Sequence, residues 1–219
     1  MELYEAMRCA PTSRRFSAEP VDRESIVRAL DAARFAPSGG NRQGWRVIVV
    51  TDPGTRRALR ELYLPHWRAY LELTGGAKML AGVGGDQILE LRRARMVRLA
   101  NEYAEHLDEV PVHLVLGVQL SDLAVTDARL GRTSIVGGAS IYPFAQNLLL
   151  ALRGEGLGAA MTTLLVPAEA EVHELPAIPP DVALAAHIGV GHRADPWPRQ
   201  LAREPVSGFA FAERFGEPL

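Results

Sequence analysis

Ala36-Pro-Ser-Gly-Gly-Asn-Arg-Gln-Gly-Trp45 runs straight into Arg46-Val-Ile-Val-Val-Thr51. The second piece is compact, apolar and β-branched, and predicts a buried strand over Trp45 to Thr51. Ahead of the first piece lies a helical pattern, Ile26, Leu30, Ala33 and Ala36, which opens at Asp22, a good N-cap, and stops at Pro37. The segment between helix and strand is too rich for a plain turn. A turn needs a glycine or two, whereas Ser38, Asn41, Gln43 and Trp45 fall here within eight positions. Hydroxyl, amide and open glycine backbone in one short loop suit a flat polar heterocycle, which requires close backbone approach and neutral hydrogen-bond partners.

Upstream, a first helix is predicted over Glu2 to Cys9, stopped at Ala10-Pro11 because a proline disfavours helical geometry in the preceding residue. Downstream, Asp52-Pro53 opens a helix that runs to about Leu73. Residues 74–86, containing GGAKMLAGVGGD, read as a mobile loop, and Gln87 to His106 as a charged helix packing through Ile88, Leu91, Ala94, Leu99 and Tyr103. Residues 112–119 (VHLVLGVQ) form a second strand. SIYPFAQNLLLALRGEG then gives the clearest helix, with Ile141, Phe144, Leu148, Leu149 and Leu152 on one face and Gly154 to Gly158 ending it. A third strand over 159–166, a short helix from Pro167 to Leu175 and a fourth strand over 183–191 complete the pattern. Helices first, then strands and helices in alternation, leave α+β and α/β both open.

The 219 residues are 47% apolar and 23% charged, enough to bury a real core in one generous domain or two small ones. No Pro/Ser-rich linker or repeat divides them. A net charge of −2, from 24 basic and 26 acidic residues, offers no field for nucleic acid. No segment approaches the apolar length of a membrane span, and the start lacks the apolar core of a signal peptide, so the expectation is a soluble, cytoplasmic protein. Cys9, the single cysteine, excludes an intrachain disulfide framework and is expected to be a structural thiol. The six histidines show no metal-ligand spacing, and no metal site is expected. No G-x-S-x-G elbow or P-loop occurs. The glycines at 154–158 follow a helix rather than a strand, the reverse of the dinucleotide fingerprint.

One more segment stands out. Thr12-Ser-Arg-Arg15 lies between the first helix and Phe16. Adjacent arginines usually form a solvated pair, but beside two hydroxyls on a loop they also suit phosphate or flavin oxygens.

Taken in order, these segments resemble the nitroreductase superfamily of FMN-dependent oxidoreductases. An R-x-S-x-R/K-x-F-like segment is matched by Thr12-Ser13-Arg14-Arg15-Phe16. Glu19-Pro-Val21 follows, then Ala36 to Trp45 on the pattern A-P-S-x-x-N-x-Q-x-W, and the strand Arg46 to Val50. In the second half, Ala139 to Leu150, Gly156-Leu-Gly158, Met161-Thr-Thr163 and Ile188-Gly-Val-Gly191 keep the expected order. The likeness spans nearly the whole chain except about 64–110, which would be a variable helical insert or lid within a single domain covering 1–219.

The resemblance implies an α+β fold: a three-layer sandwich whose mostly antiparallel central sheet is flanked by helices. It implies an intertwined homodimer with FMN sites at the interface and a tail (Trp197, Phe209, Phe211, Phe215) lying on the partner. The implied reaction passes hydride from NADH or NADPH through FMN to a nitroaromatic or quinone. Flavin storage without turnover, or a flavin reaction with oxygen, are the alternatives. By this likeness Arg14 would support negative charge at flavin N1/O2. Thr12 and Arg203, with Arg199 as a further tail candidate, would meet the ribityl phosphate beside Ser13. Ser38, Gly39 and Asn41 would reach the flavin of the other subunit, with Gln43 and Trp45 supporting their loop. The backbone around Thr162 and Thr163 would address ring N5 and O4. One position departs from the pattern: where many relatives carry a phosphate-binding arginine, this chain has Ala10, and Arg8 lies one helical turn back.

Overall fold

The computed structural model describes residues 1–81 and 88–219. Four strands form one sheet in the order β1-β2-β4-β3: β1 (Trp45–Val50), β2 (Val112–Gln119), β3 (Leu157–Thr162) and β4 (Val182–His192). Every neighbouring pair is antiparallel, in register Val47↔Leu116, Leu114↔Ile188 and Ala159↔Val190. Helices cover both faces, so the architecture is the three-layer α+β sandwich.

Alternation along the strands feeds two separate cores. On one face Leu114, Leu116, Ile188 and Val190 pack against α2 (Arg23–Ala33) and α6 (Tyr142–Gly154). Alanines at 29 and 33 let α2 lie close to α6, whose Phe144, Leu148 and Leu152 are almost wholly buried. The opposite face carries Val115, Leu184, His113 and His187 toward α3 (Pro53–Thr74) and α5 (Ile88–Glu105). Truncating one of these fully buried leucines to alanine would cost about 2–5 kcal/mol.

The helix starts follow the local chemistry. The Asp22 carboxylate accepts from the Glu24 and Ser25 amides at 3.4 and 3.3 Å, and Asp52 accepts from Thr55 N at 2.7 Å. α1 (Leu3–Cys9) ends before Pro11, and Cys9 is buried. Pro65 sits inside α3, where it leaves the Glu61 carbonyl without its usual helical donor, yet Leu64, Trp67 and Leu71 hold the helix to the core.

Three expectations need correcting. Residues 76–80, read as loop, form α4 (Gly76–Leu80): Gly75, at φ 74°, ends α3 in the left-handed region and a new helical turn starts at once. The remainder of the predicted mobile loop, 82–86, and Gln87, read as the start of the charged helix, lie outside the described residues. In the insert, Leu91, read as a packing position of the charged helix, is 59% exposed, whereas Tyr103, with Ala104, Leu107 and Val110, is buried against the sheet. The third strand ends at Thr162 rather than 166, where the chain turns ahead of Pro167 into α7 (Glu169–Glu174).

Candidate functional site

β3 is an edge strand, and such an edge offers unpaired backbone. Residues 12–17 are strapped across it. Thr12 bridges Ala159 in parallel, and Ser13 N donates to Ala159 O at 2.8 Å. Further along, Ser17 N donates to His192 O at 2.8 Å and Ala194 N to Arg15 O at 3.1 Å. Gly158 makes the first contact possible, since a Cβ there would lie 2.8 Å from the Ser13 side chain.

This strap separates the two arginines. Arg15 turns outward to Asp195, Nη1 to Oδ1 at 3.2 Å. Arg14 turns inward, half-buried, into a cleft of about 320 Å³ beside β3. Four aromatic residues line that cleft: Tyr63, Trp67 and Tyr70 from α3 and Tyr103 from α5, with Thr162 and Thr163 opposite. Burial pushes both the Tyr63 and Tyr103 phenols up, opposed in part by the Arg14 charge. Both phenols therefore stay neutral near pH 7, and among the described residues Arg14 is the one charged residue in the lining. A single fixed cation among neutral donors and aromatic faces suits a flat, uncharged ring that gains negative charge.

A second cleft of about 390 Å³ adjoins the first, sharing Thr12 and Met161. Its lining includes Ala10, Gln146, Arg153, Trp197 and Arg203, and no carboxylate among the described residues. Arg153 Nε is shielded from solvent with no hydrogen-bond partner among the described residues. A half-buried guanidinium with a shielded Nε and no counter-charge beside it in the cleft fits an anion. The two clefts together match an elongated ligand with an anionic end, a polar spacer and a flat ring.

The structure therefore brings Arg14, Thr162 and Thr163 to one cleft and Arg203 to the adjoining one, with Thr12 lining both. Ser13 lies behind it, fully buried, its hydroxyl accepting from Arg193 Nη1 at 3.0 Å. Arg199 is exposed and lines neither cleft. Arg8 is also absent from both linings, though its carbonyl accepts from Leu201 N at 2.8 Å and ties the tail to α1.

Ser38, Gly39 and Asn41 lie elsewhere, on the loop ahead of β1. Ser38 Oγ accepts from Gln43 N at 3.0 Å, Ser140 Oγ accepts from Gly39 N at 3.1 Å, and Gln43 Nε2 donates to Asn41 Oδ1 at 3.2 Å. Asn41 and Gln43 both hold φ of 53°, unusual for residues with side chains, so the loop is fixed by these bonds. Trp45 anchors its end by stacking on Phe144, with ring centres 4.9 Å apart.

A model of the Nitroreductase family matches residues 11–192. The chain belongs to the nitroreductase family. Within it, the chain is 28% identical over 164 residues to iodotyrosine deiodinase 1 of Rattus norvegicus, covering 75% of this chain and 53% of that protein. It thus spans about half the length of that relative. It is 29% identical over 191 residues to 5,6-dimethylbenzimidazole synthase of Rhodobacter capsulatus, covering 86% of this chain and 82% of the other. A solved FMN- and NADPH-dependent nitroreductase from Sphigopyxis sp. strain HMH superposes with a TM-score of 0.68 at 20% identity, over 98% of this chain and 100% of that one. No helix among the described residues is long and apolar enough to cross a membrane.

The aromatic lining of this nitroreductase-family groove went unread in the sequence. Its signal was available, since Tyr63, Trp67 and Tyr70 recur at helical spacing on one face of α3. Arg153 gave a weaker signal, as a basic residue in the last turn of α6 that also reads as a helix-end charge.

Proposed function

We propose that this chain is an FMN-dependent oxidoreductase that takes hydride from NADH or NADPH and passes the electrons to an organic acceptor such as a nitroaromatic or quinone. The observation that carries this reading is the pair of clefts joined at Thr12 and Met161, cationic at one end and aromatic at the other. The bound flavin supplies the redox chemistry, and the chain supplies position and charge. Arg14 stabilises negative charge arising at the ring's N1/O2 edge. Thr162, Thr163 and the following backbone offer hydrogen-bonding groups to its N5/O4 edge. The ring of aromatic side chains from α3 and α5 keeps water from one side of the site. Thr12 and Arg203 hold the phosphate end.

The active form in this reading is a homodimer in which Ser38, Gly39 and Asn41 of the second copy complete each site. The loop bonds that fix their backbone in one chain support that role, because they leave the segment rigid and presented outward. The test is anaerobic stopped-flow reduction by NADH and NADPH, followed by mixing with menadione or nitrofurazone. Flavin bleaching followed by recovery of its colour with acceptor is expected. Reduction by neither donor would contradict the reading.

A second reading, reductive dehalogenation of a phenol, is favoured by the iodotyrosine deiodinase relatives and uses the same aromatic cleft. Halide release when an iodophenol replaces the quinone distinguishes it.

A further inference from the structure

The cleft beside Ala10 has a guanidinium that the sequence marked only as a helix-end charge. Arg153 closes the last turn of α6, where the helix dipole favours a cation. Its guanidinium carbon lies over the Trp197 ring, 3.8 Å from the ring centre, which limits where the group can move. The charge is not neutralised locally. Glu155, the acid nearest in sequence, is taken by Arg28, Nη2 to Oε2 at 2.8 Å with Arg28 Nε also donating at 3.0 Å. Among the described residues no carboxylate lines the cleft that Arg153 faces, and its Nε has no partner. A half-buried guanidinium whose Nε is shielded from water and unpaired gains most from a ligand that supplies an acceptor there.

Ala10 lines the same cleft and contributes only a methyl group. Arg203 also lines it, and its recorded hydrogen bond is from Nη1 to the neighbouring Ala202 carbonyl at 2.7 Å. We infer that Arg153, held over the Trp197 ring, is the principal phosphate-binding residue of this site, filling with Arg203 the role that Ala10 cannot. The ligand class is a phosphomonoester dianion whose remaining body passes Thr12 and Met161 toward Arg14. Planar guanidinium recognition of phosphate is bidentate and selective, so the group would distinguish FMN from riboflavin rather than merely attract charge. This inference rests on the flavin reading above for the ligand's identity, but not for its anionic end.

The experiment is reconstitution of the flavin-stripped full-length protein, with dissociation constants for FMN and riboflavin measured by quenching of flavin fluorescence. Arg153→Gln should weaken FMN roughly 10–100-fold and leave riboflavin unchanged. Arg153→Lys, which keeps the charge and loses the fork, should give a smaller loss and serves where the glutamine variant folds poorly. Ala10→Arg added to Arg153→Gln should recover part of the FMN affinity, since it returns a guanidinium to the same cleft. Equal loss of FMN and riboflavin, or no loss of either, would overturn the assignment and leave Arg153 as packing for Trp197. If the parent protein binds neither flavin, the flavin reading falls, and inorganic phosphate becomes the probe. Thermal stabilisation by phosphate that disappears in Arg153→Gln supports the anion site, and its absence in the parent overturns it.

Discussion

His113 on β2 and His187 on β4 meet ring to ring in the core, His113 Nδ1 lying 2.7 Å from His187 Nε2 with both side chains fully buried. Their ring centres are 4.9 Å apart, and the outer nitrogen of each ring lacks a hydrogen-bond partner among the described residues. One proton bridges two neutral imidazoles in this arrangement, and a second would set N–H against N–H. Burial pushes His113 down to about 4, and burial together with the His113 ring holds His187 well below its ordinary value.

That pair sets the acid limit of the fold. Below the ordinary histidine value of 6.5 the unfolded chain takes up protons that the folded core refuses, so stability falls with pH from about 6.5 toward 4. Each histidine contributes a slope of up to about 1.4 kcal/mol per pH unit. His187→Leu alone should cost about 1–3 kcal/mol at pH 7, because His113 Nδ1 loses its partner. The double leucine variant should recover much of that and flatten the acid slope. Denaturant unfolding at pH 7, 6 and 5 measures both, and an unchanged slope in the double variant would refute the account.

Arg14→Ala should slow flavin reduction by about 10²-fold while FMN is retained and thermal stability stays near that of the parent. In the proposed reading Arg14 would face an edge of the flavin that is neutral when oxidised, so the arginine would matter mainly once negative charge develops. Stopped-flow reduction with a redox titration decides the matter. The midpoint potential should drop, and an unchanged potential with an unchanged rate would return Arg14 to a bystander.

Asp127 organises the exposed loop between β2 and α6. Its carboxylate accepts from Ile135 N at 2.9 Å, Ser134 Oγ at 2.7 Å and Arg132 Nη1 at 2.9 Å, and these contacts hold it at about 2. Its folded value lies below its unfolded one, so its contribution is present above pH 4 and is lost as pH falls toward 2. Asp127→Ala should release residues 123–136 to limited proteolysis at neutral pH with little change in flavin binding. Equal cleavage rates in variant and parent would contradict this.

Phe209, Phe215 and Leu219 are 65%, 94% and 82% exposed in a single chain, and Ile135 is 74% exposed. Apolar surface on this scale calls for a partner. Sedimentation at micromolar concentration should give a species of twice 23.8 kDa. Removing residues 206–219 should weaken it. A flavin-loaded monomer would contradict the dimer.

Much of this architecture was legible from local chemistry. Asp22 and Asp52 announce their helices through a cap, and Trp45 to Val50 announces a strand through β-branching. The strap at Thr12 to Phe16 was legible as unusual, but not the division of labour between its arginines, which depends on Asp195 from beyond β4. α4 was hidden because the glycines around it obey turn statistics, while one of them serves only to end α3. Arg153 was hidden for a different reason. Its meaning comes from Glu155 being turned away to Arg28 and from Trp197 arriving from the tail, contacts that no periodicity records.

The measurement that tests the central claim most directly is the absorption spectrum of the purified protein, taken as isolated or after incubation with FMN, before and after anaerobic addition of NADH or NADPH. The account predicts a yellow protein whose bound flavin is identified as FMN by mass and bleaches with at least one donor. A folded protein that stays colourless after incubation with FMN, or a flavin that neither donor bleaches, would contradict it.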